Sequence, residues 1–147
     1  MKKYLLLLFT ATLFLGTAGK AIAQGNTIGK PVKFGKLLIA QYDIGELNWA
    51  DAKKACAKLG TGWRLPTKDE LNVLYENKDS IGEFYPIKYP GVIFYWSATL
   101  STSRGDAQSN AKNAWFQDFA DGSQKDFDSY WSSNKVVKYY VRAVRTL

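Results

Sequence analysis

The sequence predicts one α+β domain, and three observations carry that reading. Apolar residues recur at helical spacing between Asn48 and Tyr75, the period falls to two beyond Gly91, and glycine, proline and aspartate punctuate the change. The first 23 of the 147 residues read as an export signal, which leaves about 124 to fold. That length suits a single core and is too short for two. The expected organisation is therefore a signal at 1–23, a lead-in at 24–35 and the folded domain at 36–147.

Lys2 and Lys3 form a positive start, Tyr4 to Leu15 an apolar run, and Ala21-Ile22-Ala23 a small-x-small cleavage site that would leave Gln24 first. The apolar run falls short of the roughly 20 residues a membrane-spanning helix wants. The expectation is a secreted or periplasmic protein with no membrane insertion after cleavage. Beyond the signal, 17 basic residues stand against 13 acidic ones, a net charge of about +4.

Gln24 to Gly35 carries Gly25, Gly29, Pro31 and Gly35, too many backbone breakers for a regular element. Lys36 to Ile44 reads as a first strand through Leu37, Leu38, Ile39 and Tyr42. Asn48 is then a helix N-cap with Asp51 three residues on, and Trp49, Ala52, Cys56 and Leu59 line one helical face. Gly60 and Gly62 end that helix. Thr67 and Glu70 form a T-x-x-E capping box straight after Pro66, and Leu71, Leu74 and Tyr75 give the second helix its apolar stripe.

Ser80 to Gly91 reads as a loop. Val92–Leu100, Ala114–Ala120, Gln124–Trp131 and Val136–Val144 read as strands, with Asp121-Gly122 turning between the second and third. In the last strand Val137, Tyr139, Val141 and Ala143 face one way, while Lys138, Tyr140 and Arg142 face the other. The polar stretch Ser101–Asn113 is a long loop, the kind of segment that carries function on a fixed scaffold.

Composition closes much chemistry. The chain has no histidine, which excludes Ser-His-Asp triads, imidazole-ligated zinc and imidazole acid-base catalysis. A single cysteine, Cys56, excludes an internal disulfide framework and a CxxC redox pair. Cys56 lies on the same stripe as Trp49 and is expected to be buried, with pairing between chains the alternative.

Six ordered blocks carry a family resemblance: Asn48-Trp49-Ala50-Asp51-Ala52, Gly62 to Leu71 (GWRLPTKDEL), Tyr95-Trp96-Ser97-Ala98-Thr99, Ala114-Trp115, Phe119-Ala120-Asp121-Gly122 and Tyr140 to Arg145. Their order and spacing resemble the Lcl C-terminal domain family, named from bacterial collagen-like adhesins, over roughly Lys36 to Arg145. Arg64-Leu65-Pro66-Thr67 with Glu70 is also similar to the sulfatase-modifying, formylglycine-generating family. The resemblance implies a C-type lectin-like fold with two helices and an antiparallel, partly irregular sheet. It also implies an exported or surface binding module, with sulfated polysaccharide the ligand of the collagen-like adhesins.

The residues themselves have plainer roles to weigh. Arg64 is expected to pin the start of the second helix, and Trp63 and Trp96 to be core rings. Arg142 and Arg145 are expected on a solvated face or strand end. Asp118, Asp121, Asp126 and Asp128 read as turn formers and solvated strand residues. Their spacing matches no EF-hand, and Trp131-Ser132-Ser133-Asn134 departs from the sugar-binding motif of calcium lectins, so no metal or other cofactor is expected. Formylglycine-type oxidation needs a cysteine pair that the chain lacks, and the protein is read as a non-enzyme.

The candidate ligand-binding residues are Arg104, Lys112 and Asn113 in the first late loop and Tyr130, Trp131, Asn134 and Lys135 in the second. Rings of this kind stack on pyranoses while amides and guanidinium groups fix hydroxyls or sulfates. The expected partner is an extracellular glycan, plausibly anionic, or a surface protein. The alternative is a structural or assembly subunit with no small ligand, and third a degenerate enzyme relative. Nucleic acid is not expected, given export and the lack of a dense basic stripe.

Overall fold

The computed structural model describes residues 28–82, 84–85, 91–100, 114–126 and 137–147. Within them the chain is α+β, with two sheets and three helices. Strands β1 (Val32–Phe34), β2 (Leu37–Ile39) and β8 (Val144–Thr146) make an antiparallel sheet in the order β1-β2-β8. Strands β3 (Glu46–Leu47), β4 (Phe94–Leu100), β5 (Ala114–Asp118), β6 (Gln124–Lys125) and β7 (Tyr139–Tyr140) make the second, in the order β3-β7-β4-β5-β6. Its one parallel pairing is β4 with β7.

The lead-in is the first correction. Val32–Phe34 is a strand, because Gly35 takes φ 56° and closes a two-residue hairpin in which Phe34 faces Leu37. Glycine at the first central position of such a turn supplies the positive φ that matches strand twist. The glycine counted as a breaker makes the element possible.

Helix α1 (Trp49–Lys58) starts where Asn48 Oδ1 accepts the Asp51 amide at 2.9 Å. Helix α2 (Lys68–Glu76) has the expected capping box. Thr67 Oγ1 accepts the Glu70 amide at 3.2 Å, and Glu70 Oε2 accepts the Thr67 amide at 2.8 Å. The segment expected as a loop from Ser80 begins inside a third, one-turn helix, α3 (Lys78–Ile81).

Alternate residues of β4 feed two cores. Trp96 joins Ala52 and Cys56 of α1, Trp63, Leu65, Phe116 and Tyr139. Tyr95 joins Leu71 and Leu74 of α2, Ile39, Phe119 and Val144. The expectation that Trp63, Trp96 and Cys56 are core residues holds. Burial pushes the Cys56 thiol up to about 12, so it stays protonated and inert at neutral pH.

The last expected strand is corrected in form and in environment. Residues 137–147 supply β7 to one sheet and β8 to the other. The alternation survives the crossing, since Val137, Tyr139, Val141 and Ala143 all pack in the first core. The opposite side is covered as well, so Arg142 is fully buried instead of solvated. Asp118 is corrected likewise. It is 3 % exposed and accepts the amides of Ile93 at 3.2 Å and Ala120 at 2.9 Å, which fixes the turn after β5.

Helix α2 is tied to the sheet by buried amides as well as apolar contact. Gln117 Nε2 donates to Asn72 Oδ1 at 2.9 Å and to the Gly122 carbonyl at 3.0 Å. Gln124 Nε2 donates to the Lys68 carbonyl at 2.8 Å. These bonds satisfy the polar atoms they bury, which is what makes a polar core tolerable.

Candidate functional site

Three arginines illustrate how the fold allots charge. Arg64 acts as expected at the start of α2. Its Nη1 and Nη2 meet Glu70 Oε2 and Oε1 at 2.7 and 2.8 Å, and Nη2 also donates to Thr146 Oγ1 at 2.9 Å. The Arg64 hydrogen bonds hold the Glu70 carboxyl below its usual range, with the Thr67 amide adding to the effect. One bidentate pair therefore couples the helix cap to β8.

Arg142 is sealed inside. Its Nε donates to Asp43 Oδ1 at 2.6 Å, and its Nη1 to the carbonyls of Ala40 at 2.9 Å and Gln41 at 2.6 Å. The guanidinium carbon sits 4.0 Å from the centre of the Phe84 ring. Asp43 Oδ2 accepts from the Tyr95 hydroxyl at 2.6 Å and from the Tyr85 amide at 3.2 Å. Burial first and the Asp43 charge second push the Tyr95 hydroxyl far above its ordinary value, so it remains a donor. Both Asp43 oxygens are thus occupied, and the group serves to lock the chain around residues 40–43 to the end of β7. Asp43 was not singled out in the sequence, where no spacing relates it to a residue 99 positions away.

The seven sequence-nominated ligand residues, Arg104, Lys112, Asn113, Tyr130, Trp131, Asn134 and Lys135, lie outside the described residues, as does Asp128. The stems that carry them are described. Leu100 at the end of β4 faces Ala114 at the start of β5, so residues 101–113 depart and return at one end of the five-stranded sheet. Strand β6 runs antiparallel to β5 with Lys125 opposite Phe116, so the chain leaves Asp126 toward that same end. It comes back at Val137 into β7, which runs parallel to β4 with Tyr140 opposite Tyr95 and so begins from the other end. The fold thus brings three of the four stems together.

Two cations lie over indoles on opposite faces of this sheet, one of them at the loop-bearing end and the other beside the middle of β4. On the α2 side, Lys68 Nζ lies 3.6 Å from the centre of the Trp115 ring, and the Lys68 amide donates to Thr99 Oγ1 at 2.9 Å. On the α1 side, Lys53 Nζ lies 3.7 Å from the Trp49 ring centre, and Trp49 Nε1 donates to the Ser97 carbonyl at 2.8 Å. Such pairs hold an ammonium group in place without neutralising it. The i, i+4 spacing of Trp49 and Lys53 was a legible signal for one pair. The other joins α2 to β5 and had none.

Among the described residues, no group of three or more histidine, cysteine, aspartate or glutamate side chains is arranged to hold a metal ion. No helix among them is long and apolar enough to cross a membrane.

The family model of the Lcl C-terminal domain matches residues 29–145, from ahead of β1 into β8. The chain belongs to the Lcl C-terminal domain family. The Lcl C-terminal domain therefore takes in the β1–β2 hairpin as well as the blocks from Asn48 onward, and it spans both nominated loops with all four of their stems. No curated protein matches the chain.

Proposed function

We propose that this Lcl C-terminal domain protein is an exported, non-enzymatic adhesion module that grips an anionic extracellular glycan at the loop-bearing end of its five-stranded sheet. The observation that carries the reading is the meeting of three loop stems at one sheet end beside Lys68 on Trp115. Held ammonium groups attract sulfates or carboxylates, and the rings beneath them offer apolar faces to sugar C–H groups. Family membership supports an adhesin-type role and a C-type lectin-like reading of the α+β core. The signal at 1–23 supports export to the periplasm or beyond.

Chromatography on immobilised heparin under a salt gradient, run beside a panel of neutral glycans, tests the proposal. Retention should weaken with ionic strength, because screening shortens the reach of exposed charges. Replacing Arg104 and Lys112 together by Ala should lower retention and leave the thermal midpoint in place, since charges that only meet a ligand contribute little to folding. Absence of retention on heparin would favour the assembly-subunit reading, and unfolding of the double variant would show that these residues are not a ligand surface.

A further inference from the structure

We propose a second anion-binding surface on the three-stranded sheet, centred on Arg145 and Lys33 and separate from the loop-bearing end. It rests on the anionic-glycan reading above and adds a place where the same polymer is held.

Register places Lys33, Leu38 and Arg145 side by side across β1, β2 and β8, so the three share one face. Arg145 is positioned but not satisfied. Its stem crosses Gly62, where a Cβ would come within 3.1 Å of Arg145 Cγ, and its guanidinium carbon lies 5.6 Å from the centre of the Trp63 ring. Among the described residues it meets no carboxylate and no carbonyl acceptor, whereas Arg64 and Arg142 are each paired with a carboxylate. A guanidinium carries five donors in a rigid fork that matches the oxygens of sulfate or carboxylate.

The surroundings reinforce the sign. Strands β1, β2 and β8 and the Gly35-Lys36 turn between the first two contain no aspartate or glutamate. Lys36 in that turn adds to the charge of Lys33 and Arg145. Basic residues from two distant stretches of sequence thus meet on one small sheet. Strands β1 and β8 stand roughly 10 Å apart with β2 between them. The two cations therefore flank a half-buried leucine, an arrangement suited to an extended chain with repeated negative groups and an apolar ring face over Leu38. A sulfated or uronate-bearing polysaccharide has that chemistry.

Titration calorimetry with a size-defined heparin oligosaccharide tests the surface in the full protein. The Lys33→Gln, Arg145→Gln double variant should bind about tenfold more weakly, the effect of two exposed charge-assisted contacts. Arg145→Lys, which keeps the charge, should recover part of the loss. Because Arg145 touches Trp63, Lys33→Glu provides an independent reading at an exposed site, with lower affinity expected at an unchanged thermal midpoint. The loop variant lacking Arg104 and Lys112 should retain residual binding that the sheet substitutions then remove. Unchanged affinity in the sheet variants, with binding abolished by the loop variant alone, would overturn this inference and leave the proposed function standing. No binding by the unaltered protein would overturn both. Equal affinity for a DNA duplex of matched charge would overturn the assignment of the surface to a glycan.

Discussion

Arg142 and Arg145 lie three residues apart on one extended stretch and lead opposite lives. Arg142 is fully buried against Asp43, the backbone carbonyls of Ala40, Gln41 and Gly82, and the Phe84 ring. Arg145 is half-exposed, lies over Trp63 and has no acceptor among the described residues. Both are the same side chain with the same unvarying charge, so the difference comes from what the fold puts opposite each. A buried cation has to be compensated by the protein itself, while one at the surface can wait for a ligand. Structural and recognition charge are thus set by the neighbouring elements and not by residue type.

The sharpest way to break this comparison is to remove the buried member. Arg142→Met should cost about 3–5 kcal/mol in urea unfolding, because Asp43 would be left as an uncompensated carboxylate in the interior. A loss below about 1 kcal/mol would mean that water or rearrangement supplies what Arg142 supplies, and the contrast with Arg145 would disappear.

A site of tight packing without charge should fall lower. Gly122 takes φ 82°, and a Cβ there would run into the Tyr75 ring. Gly122→Ala should therefore cost about 1–3 kcal/mol, read from the same unfolding curves. A neutral result would show that Tyr75 and the β5–β6 turn yield easily.

Arg64 and Glu70 occupy the middle ground, paired yet partly exposed, and they separate the two cases by pH. The Glu70 carboxyl is held below its ordinary value in the folded state, chiefly by Arg64. Its contribution is therefore complete above the unfolded value and is lost as pH falls through the folded one. Urea midpoints measured downward from about pH 5 should fall more steeply for the native chain than for Glu70→Gln. Parallel curves would remove the pair from the stability of the α2 cap.

Arg145→Gln should have the smallest effect on folding, about 0.5–1 kcal/mol, because it removes only a half-exposed cation over the Trp63 ring. A thermal midpoint that drops as far as that of Arg142→Met would show that Arg145 is structural after all.

Much of the fold was legible where chemistry is local. The Asn48 and Thr67 caps, the stripes of α1 and α2, the turn at Asp121-Gly122 and the alternation through residues 137–143 follow from rules that act within a few residues. Gly35 was misread because a glycine marks either the end of an element or the tight turn between two, and only the pairing of Phe34 with Leu37 distinguishes them. Arg142 and Asp118 were misplaced because alternation tells which residues share a face and is silent on whether that face meets water.

The sequence by itself determined the α+β class, the starts of α1 and α2 and the family to which the chain belongs, since each is written in spacing along the backbone. Only the tertiary structure decided that Asp43 would meet Arg142, that three loop stems would gather at one sheet end and that Lys33 would share a sheet face with Arg145. Those outcomes depend on strand order and on what covers each face. Both are set by long-range pairing, whose partners stand up to about a hundred residues apart and leave no periodic trace in the chain.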